Sequence, residues 1–155
     1  DLFQGAVWIL TPTSATDGAA LTRTAALVES LGALPVVMTP EAHDATLAVT
    51  SHLPHVSAAA LVHLFAAARD ECELAEKLVA SGWRDSTRIA AISPEMWRDI
   101  CLANSEAIGS SLDGLIAQLE LVRALLQEGN GNRLLEWFEK AKTVRRAHTN
   151  FGCKK

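Results

Sequence analysis

The sequence has no CxxC pair, no basic cluster, no internal repeat and no low-complexity tract. Each gap removes a class of function. Cys72, Cys101 and Cys153 are widely spaced thiols, which argues against a disulfide framework and fits reduced cysteines in a cytoplasmic protein. A formal net charge of −4 without a Lys/Arg patch argues against nucleic acid as a partner. The longest apolar stretch, Val56 to Ala68, contains Ser57 and His63 and is too short to span a bilayer. It reads as a helix buried on most sides, in a core or at a subunit interface, so no membrane partner is expected. Asp1 opens a polar start rather than a basic one followed by an apolar segment, so no signal peptide is expected. An initiator Met is also missing, and the chain starts at the edge of a strand. The expectation is a fragment or separated domain of something longer.

What is present is an ordinary globular composition. Hydrophobic residues make up 49% of the 155 positions. A chain of this length can bury roughly two-thirds of its unfolded surface. Residues 6–11 form a continuous apolar run, the pattern of a strand covered on both faces, ended by Pro12. Asp17 is placed to cap a helix with Leu21, Ala25, Val28 and Leu31 on one face and Gly32 just past its end. A second strand is expected at Pro35 to Met38, giving a parallel strand–helix–strand unit that should dock on a larger sheet.

From Glu41 the pattern turns helical to about Arg69, and Pro54 should kink it by removing one hydrogen bond and crowding the Thr50 carbonyl. A shorter helix is expected over Glu71 to Ala80, with Ser81-Gly82 turning into an arginine-bearing loop. Ser93 as cap and Pro94 at the first helical position begin the clearest helix. Within it Ile108, Leu112, Leu115, Leu119, Val122 and Leu126 form a heptad-like seam that calls for a partner helix. Gly129-Asn130-Gly131 breaks it, and a last helix is expected from Asn132 to about Ala147.

Two segments concentrate chemistry. One is Ser51-His52-Leu53-Pro54-His55; the other runs from Gly82-Trp83-Arg84-Asp85-Ser86-Thr87-Arg88 to Trp97. On a helix His52 and His55 lie about 60° apart and can face one pocket. His43 sits nine residues before His52, about half a turn out of phase and roughly 13 Å away along a straight helix, so the three imidazoles do not make a metal triad. The alternative for the pair is two hydrogen-bonded core histidines. Arg84, Asp85 and Arg88 read either as a solvated charge cluster or as a fork for a ligand carboxylate held by a supporting carboxylate. Trp97 is either core or a flat wall for a ring ligand. His63 reads as structural.

In order and spacing these segments resemble the substrate half of the prephenate dehydrogenase family. The similarity runs from Leu2-Phe3 and Ile9-Leu10-Thr11-Pro12-Thr13 to about Arg146. The resemblance implies a mainly α fold: a helical bundle dimerisation domain preceded by a short β-α-β remnant of a dinucleotide-binding sheet. It implies boundaries at 1–40 for that remnant, 41–147 for the helical domain and 148–155 for a flexible tail. It also implies a substrate cleft lined by Ser51, His52 and His55, with Arg88 binding a substrate carboxylate. His43, Arg84, Asp85 and Trp97 would join the same network. The expected reaction oxidises prephenate, or its amino analogue arogenate, by hydride transfer to NAD or NADP with loss of carbon dioxide, in tyrosine biosynthesis. A homodimer through the helical domain and a cytoplasmic location are expected too.

The sequence departs from that family pattern in two places. No GxGxxG occurs, and the region that would carry the family's proton-accepting histidine is absent. No catalytic residue, cofactor cradle or metal site is therefore expected in this chain, which by itself should be inactive. Ser81 also stands where relatives usually place a glycine. From a different class, the alternative is a non-catalytic helical ligand-binding or dimerisation module. A metal-dependent hydrolase built on the histidines is a third reading, opposed by the helix geometry.

Overall fold

A computed structural model describes residues 2–72 and 74–148. The fold is mainly helical with one small parallel sheet, β1 (Val7–Leu10) paired with β2 (Leu34–Val37) in the register Val7 with Leu34 through Leu10 with Val37. Between them α1 (Gly18–Ser30) is started by the Asp17 carboxylate, which accepts from the Ala19 amide at 3.0 Å. It is stopped by Gly32 at φ +79°, where the Gly32 and Ala33 amides return to the Glu29 and Val28 carbonyls. The sheet departs from one expectation. Val7, Trp8 and Ile9 remain exposed, because one helix packing on two strands leaves much of their surface uncovered.

The next helical stretch, Pro40 to Glu71, is continuous but changes its hydrogen-bond pattern midway. α2 (Pro40–Leu47) starts at Thr39, whose hydroxyl accepts from the Ala42 amide at 3.1 Å. A π segment follows at Ala48–His52, and then α3 (Leu53–Glu71). Pro54 has no N–H and its ring crowds the carbonyl four residues back. The ladder answers one residue earlier: the Leu53 amide reaches the Ala48 carbonyl, five residues away. The proline effect expected from the sequence is thus expressed as a π-turn. This stretch is also long and apolar enough, by length and composition alone, to pass for a membrane span. Only His55 and Ala58 of α3 are buried, while Leu64 is 70% exposed. The expectation that this helix is buried on most sides is not met within the chain.

Three further expectations change. The short helix expected over Glu71 to Ala80 is replaced by the end of α3 and a 3-10 turn at Ala75–Leu78. The arginine segment is not a loop but α4 (Ser81–Thr87), continued by a 3-10 turn at Arg88–Ala91. Gly82 inside α4 costs about 1 kcal/mol relative to Ala. Packing offsets it: Trp83 meets the Phe65 ring at 4.7 Å, and buried Thr87 returns its hydroxyl to the Trp83 carbonyl at 2.7 Å. Finally, the helix expected from Ser93 through Leu126 is two helices, α5 (Pro94–Ala103) and α6 (Ser105–Glu128), parted at Asn104.

Chain contacts divide the protein into two compact units, residues 1–111 and residues 112–155. In the second, Gly129 at φ +65° turns the chain into α7 (Gly131–His148). Leu125 is buried there, Trp137 donates to Gln118 Oε1 at 3.2 Å, and Arg133 pairs with Glu128 at 2.7 Å. Of the apolar seam, Leu119 and Leu126 are 59% and 62% exposed. Past His148 the expected tail, with Cys153, lies outside the described residues; Cys72 and Cys101 are free thiols.

The Ser93 cap offers a clean test. Its hydroxyl accepts from the Met96 amide at 3.3 Å and donates to Glu95 at 2.9 Å. Glu95's own backbone amide, then Ser93, hold that carboxyl below its usual range. Replacing Ser93 with Ala should cost about 1 kcal/mol, read as a lower urea midpoint with an unchanged slope.

Candidate functional site

The π-turn and the first turn of α3 deliver two imidazoles to one indole. His55 lies parallel to Trp97, with ring centroids 3.5 Å apart and 9° between planes. His52 meets the same indole edge-on at 6.1 Å and 81°. Trp97 is presented by α5, whose start is fixed by Ser93 and Pro94. The phase expected from the sequence for His52 and His55 is therefore realised around a single aromatic wall. A stacked aromatic pair of this kind contributes about 1 kcal/mol beyond the area it buries.

Two polar links tie this wall to α2. Asn104 donates from Nδ2 to the Asp44 carbonyl at 2.9 Å and lies 3.2 Å from His52 Nδ1. His43 Nδ1 is 2.8 Å from the Asp44 carboxylate. His43 thus belongs to the same polar patch by way of its neighbour. Sequence reasoning missed both Asn104 and Asp44. Asn104 carried one signal, an amide residue inside an otherwise apolar helical pattern.

The arginines line a recess with other residues. Arg84, Thr87 and Arg88 line a recess of about 510 Å³ with Val62, Trp83, Ala90 and Ala91. Val62 follows His55 by seven residues on α3, about 10 Å along the helix. Arg84 donates to the Val79 carbonyl at 3.2 Å, and among the described residues Arg88 and Asp85 have no ion pair. Ser51 is exposed in the π-turn, and His63 is exposed on α3. No cluster of three or more potential metal ligands occurs among the described residues.

The chemistry of the wall is that of a neutral, flat, hydrogen-bonding surface. His55 is 7% exposed, and burial pushes its pKa below the ordinary imidazole value. The folded chain thus favours the neutral ring, whereas the unfolded chain takes up a proton near pH 6.5. Stability from this group is present above that pH and is lost as pH falls through it. Trp97 keeps its indole N–H buried without an acceptor among the described residues. Such an orphan donor is costly unless something accepts from it.

Thermal melts from about pH 8 to pH 5 test the His55 assignment. The native chain should lose stability on the acid side, and His55→Phe, which keeps a flat ring without a titrating nitrogen, should lose less. Parallel curves would remove His55 as a source of that loss.

Comparison with known proteins gives the family. The family described as "Prephenate dehydrogenase, dimerization domain" matches residues 39–140. Prephenate dehydrogenase of Bacillus subtilis is 38% identical over 144 residues, covering 93% of this chain and 39% of its own length. The crystal structure of Aquifex aeolicus prephenate dehydrogenase, in complex with hydroxyphenyl propionate and NAD+, superposes with a TM-score of 0.87 at 35% identity. That match covers 94% of this chain and 51% of the other. Synechocystis arogenate dehydrogenase gives a TM-score of 0.85 at 30% identity, covering 95% of this chain and 54% of the other. The chain thus spans about half, or less, of the proteins it matches. It belongs to the prephenate dehydrogenase family, through that family's dimerization domain.

Proposed function

We propose that this chain is the C-terminal substrate-binding and dimerisation portion of a prephenate or arogenate dehydrogenase acting in tyrosine biosynthesis in the cytoplasm. The observation that carries the reading is the His52–Trp97–His55 assembly, a flat wall with hydrogen-bonding edges in the domain matched to that family. Residues 1–40 would be the last strand–helix–strand of the nucleotide domain, and 41–147 the helical domain. No GxGxxG occurs in the sequence, which supports a dinucleotide cradle lying outside these residues. NAD or NADP would be held elsewhere in the parent protein, and its part is to accept the hydride.

The work left to this chain is to bind and orient. Substrate of this class is a doubly negative cyclohexadiene acid whose ring becomes aromatic as carbon dioxide leaves. Aromatisation supplies much of the driving force, so catalysis depends mainly on placing the ring and its hydroxyl. Trp97 would form the wall, with His55 and His52 as polar contacts and Ser51 and His43 beside them. Arg88, exposed and without a carboxylate partner among the described residues, is the proposed anchor for a substrate carboxylate, supported by Asp85 and Arg84. Its recess is lined by Val62, Trp83, Thr87, Ala90 and Ala91 rather than by the rings of the wall.

A homodimer accounts for the apolar residues left open in each unit. Leu64 on α3, in the first unit, and Leu119 and Leu126 on α6, in the second, are each more than half exposed. A second copy packed on either helix would cover them. Sedimentation at micromolar concentration should report a dimer, and a monomer there would count against it.

In the full-length enzyme Arg88→Ala should raise KM for the cyclohexadiene acid roughly ten- to hundred-fold, the value of one charge-assisted hydrogen bond, with a smaller change in kcat. An unchanged KM would remove Arg88 from the site. The 155 residues alone, given substrate and NAD or NADP, should not turn over; a normal enzymatic rate from them would sink the reading.

A further inference from the structure

The amide of Asn104 faces two groups of different kinds. Its Nδ2 lies 2.9 Å from the Asp44 backbone carbonyl and 3.2 Å from His52 Nδ1. A carbonyl oxygen only accepts, so the atom set against it must be the NH2 rather than the amide oxygen. Turning the amide over would bring two acceptors together at 2.9 Å. Once the NH2 is placed, its second hydrogen is directed to His52 Nδ1, which must then offer a lone pair. In a neutral imidazole one nitrogen carries the proton and the other accepts. His52 therefore carries its proton on Nε2, on the ring edge away from Asn104.

Charged and titratable neighbours leave this assignment standing. The Asp44 carboxylate is engaged by His43 Nδ1 at 2.8 Å, not by His52. Glu41 and Glu106 line the recess that Asp44 and Asn104 share, and neither bonds to His52. His55 is turned face-on to Trp97, and His52 edge-on to the same ring. The wall then holds His52 Nε2–H at the edge-on side of the Trp97 indole, with no hydrogen bond to it among the described residues. A neutral ring N–H left free at an aromatic wall suits a ligand that brings an oxygen.

We propose that Asn104 is a positioning residue that fixes His52 as the Nε2–H tautomer, so that His52 offers an N–H donor to a carboxylate, keto or hydroxyl oxygen of the ligand. Asn104 touches no reacting atom in this role; it acts through His52. The tautomer stands by itself, whereas the donation to substrate rests on the dehydrogenase reading above.

The test uses the full-length protein labelled with ¹⁵N-histidine, at about pH 8 where a free imidazole is neutral. Long-range proton–nitrogen correlation distinguishes protonated from lone-pair ring nitrogens, and the His52 signals are identified by their loss in His52→Gln. The expected result is a protonated Nε2 and a lone-pair Nδ1. Asn104→Asp, whose carboxylate only accepts, should exchange that pattern and place the proton on Nδ1. A wild-type His52 protonated on Nδ1, or an even mixture of tautomers, overturns the proposal. So does a folded Asn104→Asp protein with the wild-type pattern. Should Asn104→Asp not fold, the wild-type spectrum decides alone.

A kinetic arm tests the link to substrate. Asn104→Asp should raise KM for prephenate or arogenate about tenfold, leaving cofactor KM unchanged, and an unchanged substrate KM overturns the donor role. If the wild-type protein turns over neither acid, the dehydrogenase reading falls while the spectral assignment of the His52 tautomer stands.

Discussion

Proline at position 54 is the constraint from which the wall follows. A helix that met it in ordinary register would lose a hydrogen bond and press the ring against the Thr50 carbonyl, at a cost of about 3 kcal/mol. The chain widens instead: the Leu53 amide reaches back to Ala48, and residues Ala48–His52 wind as a π-turn. That local change sets where Ser51, His52 and His55 emerge, since all three sit in the widened turn or the first turn beyond it. Trp97 can then meet one imidazole face-on and the other edge-on. With an ordinary residue at 54 the helix could close into regular register and rotate the two rings relative to the indole.

Much of this geometry is legible in the sequence. Asp17, Gly32, Ser93 and Pro94 each act through the backbone within a few residues, so their roles can be read from neighbours alone. The βαβ unit and the phase of His52 with His55 rest on the same short-range periodicity. The break at Asn104 is not legible, because apolar spacing continues from Ile100 through Ile108 and an interior Asn carries only a weak helix penalty. Its partners lie 52 and 60 residues away, a tertiary fact with no local signature. The helix at Ser81–Thr87 escapes sequence reasoning for the opposite reason: Ser-Gly is a strong turn signal, here overridden by Trp83 packing on Phe65 and by burial of Thr87.

Charge and aromatic surface are presented by different sets of residues, Arg84 and Arg88 in a recess with Trp83, and His52 and His55 on Trp97. Setting Arg88 beside His52 and His55 would favour their neutral forms but would also place a guanidinium against a buried indole and a desolvated ring. Instead the cations line a solvent-facing recess with Trp83, where an unpaired guanidinium stays hydrated at little cost. The wall, by contrast, offers uncharged donors and a flat face. On the proposed reading the two surfaces divide the ligand: charge is met by the exposed guanidinium of Arg88, and the ring with its oxygen is met by the indole face and the N–H of His52. Such a division lets Coulomb attraction gather a dianion without holding a bare charge in the packed interior. Orientation is left to the stacked rings, whose geometry is fixed by the helix turn at Pro54.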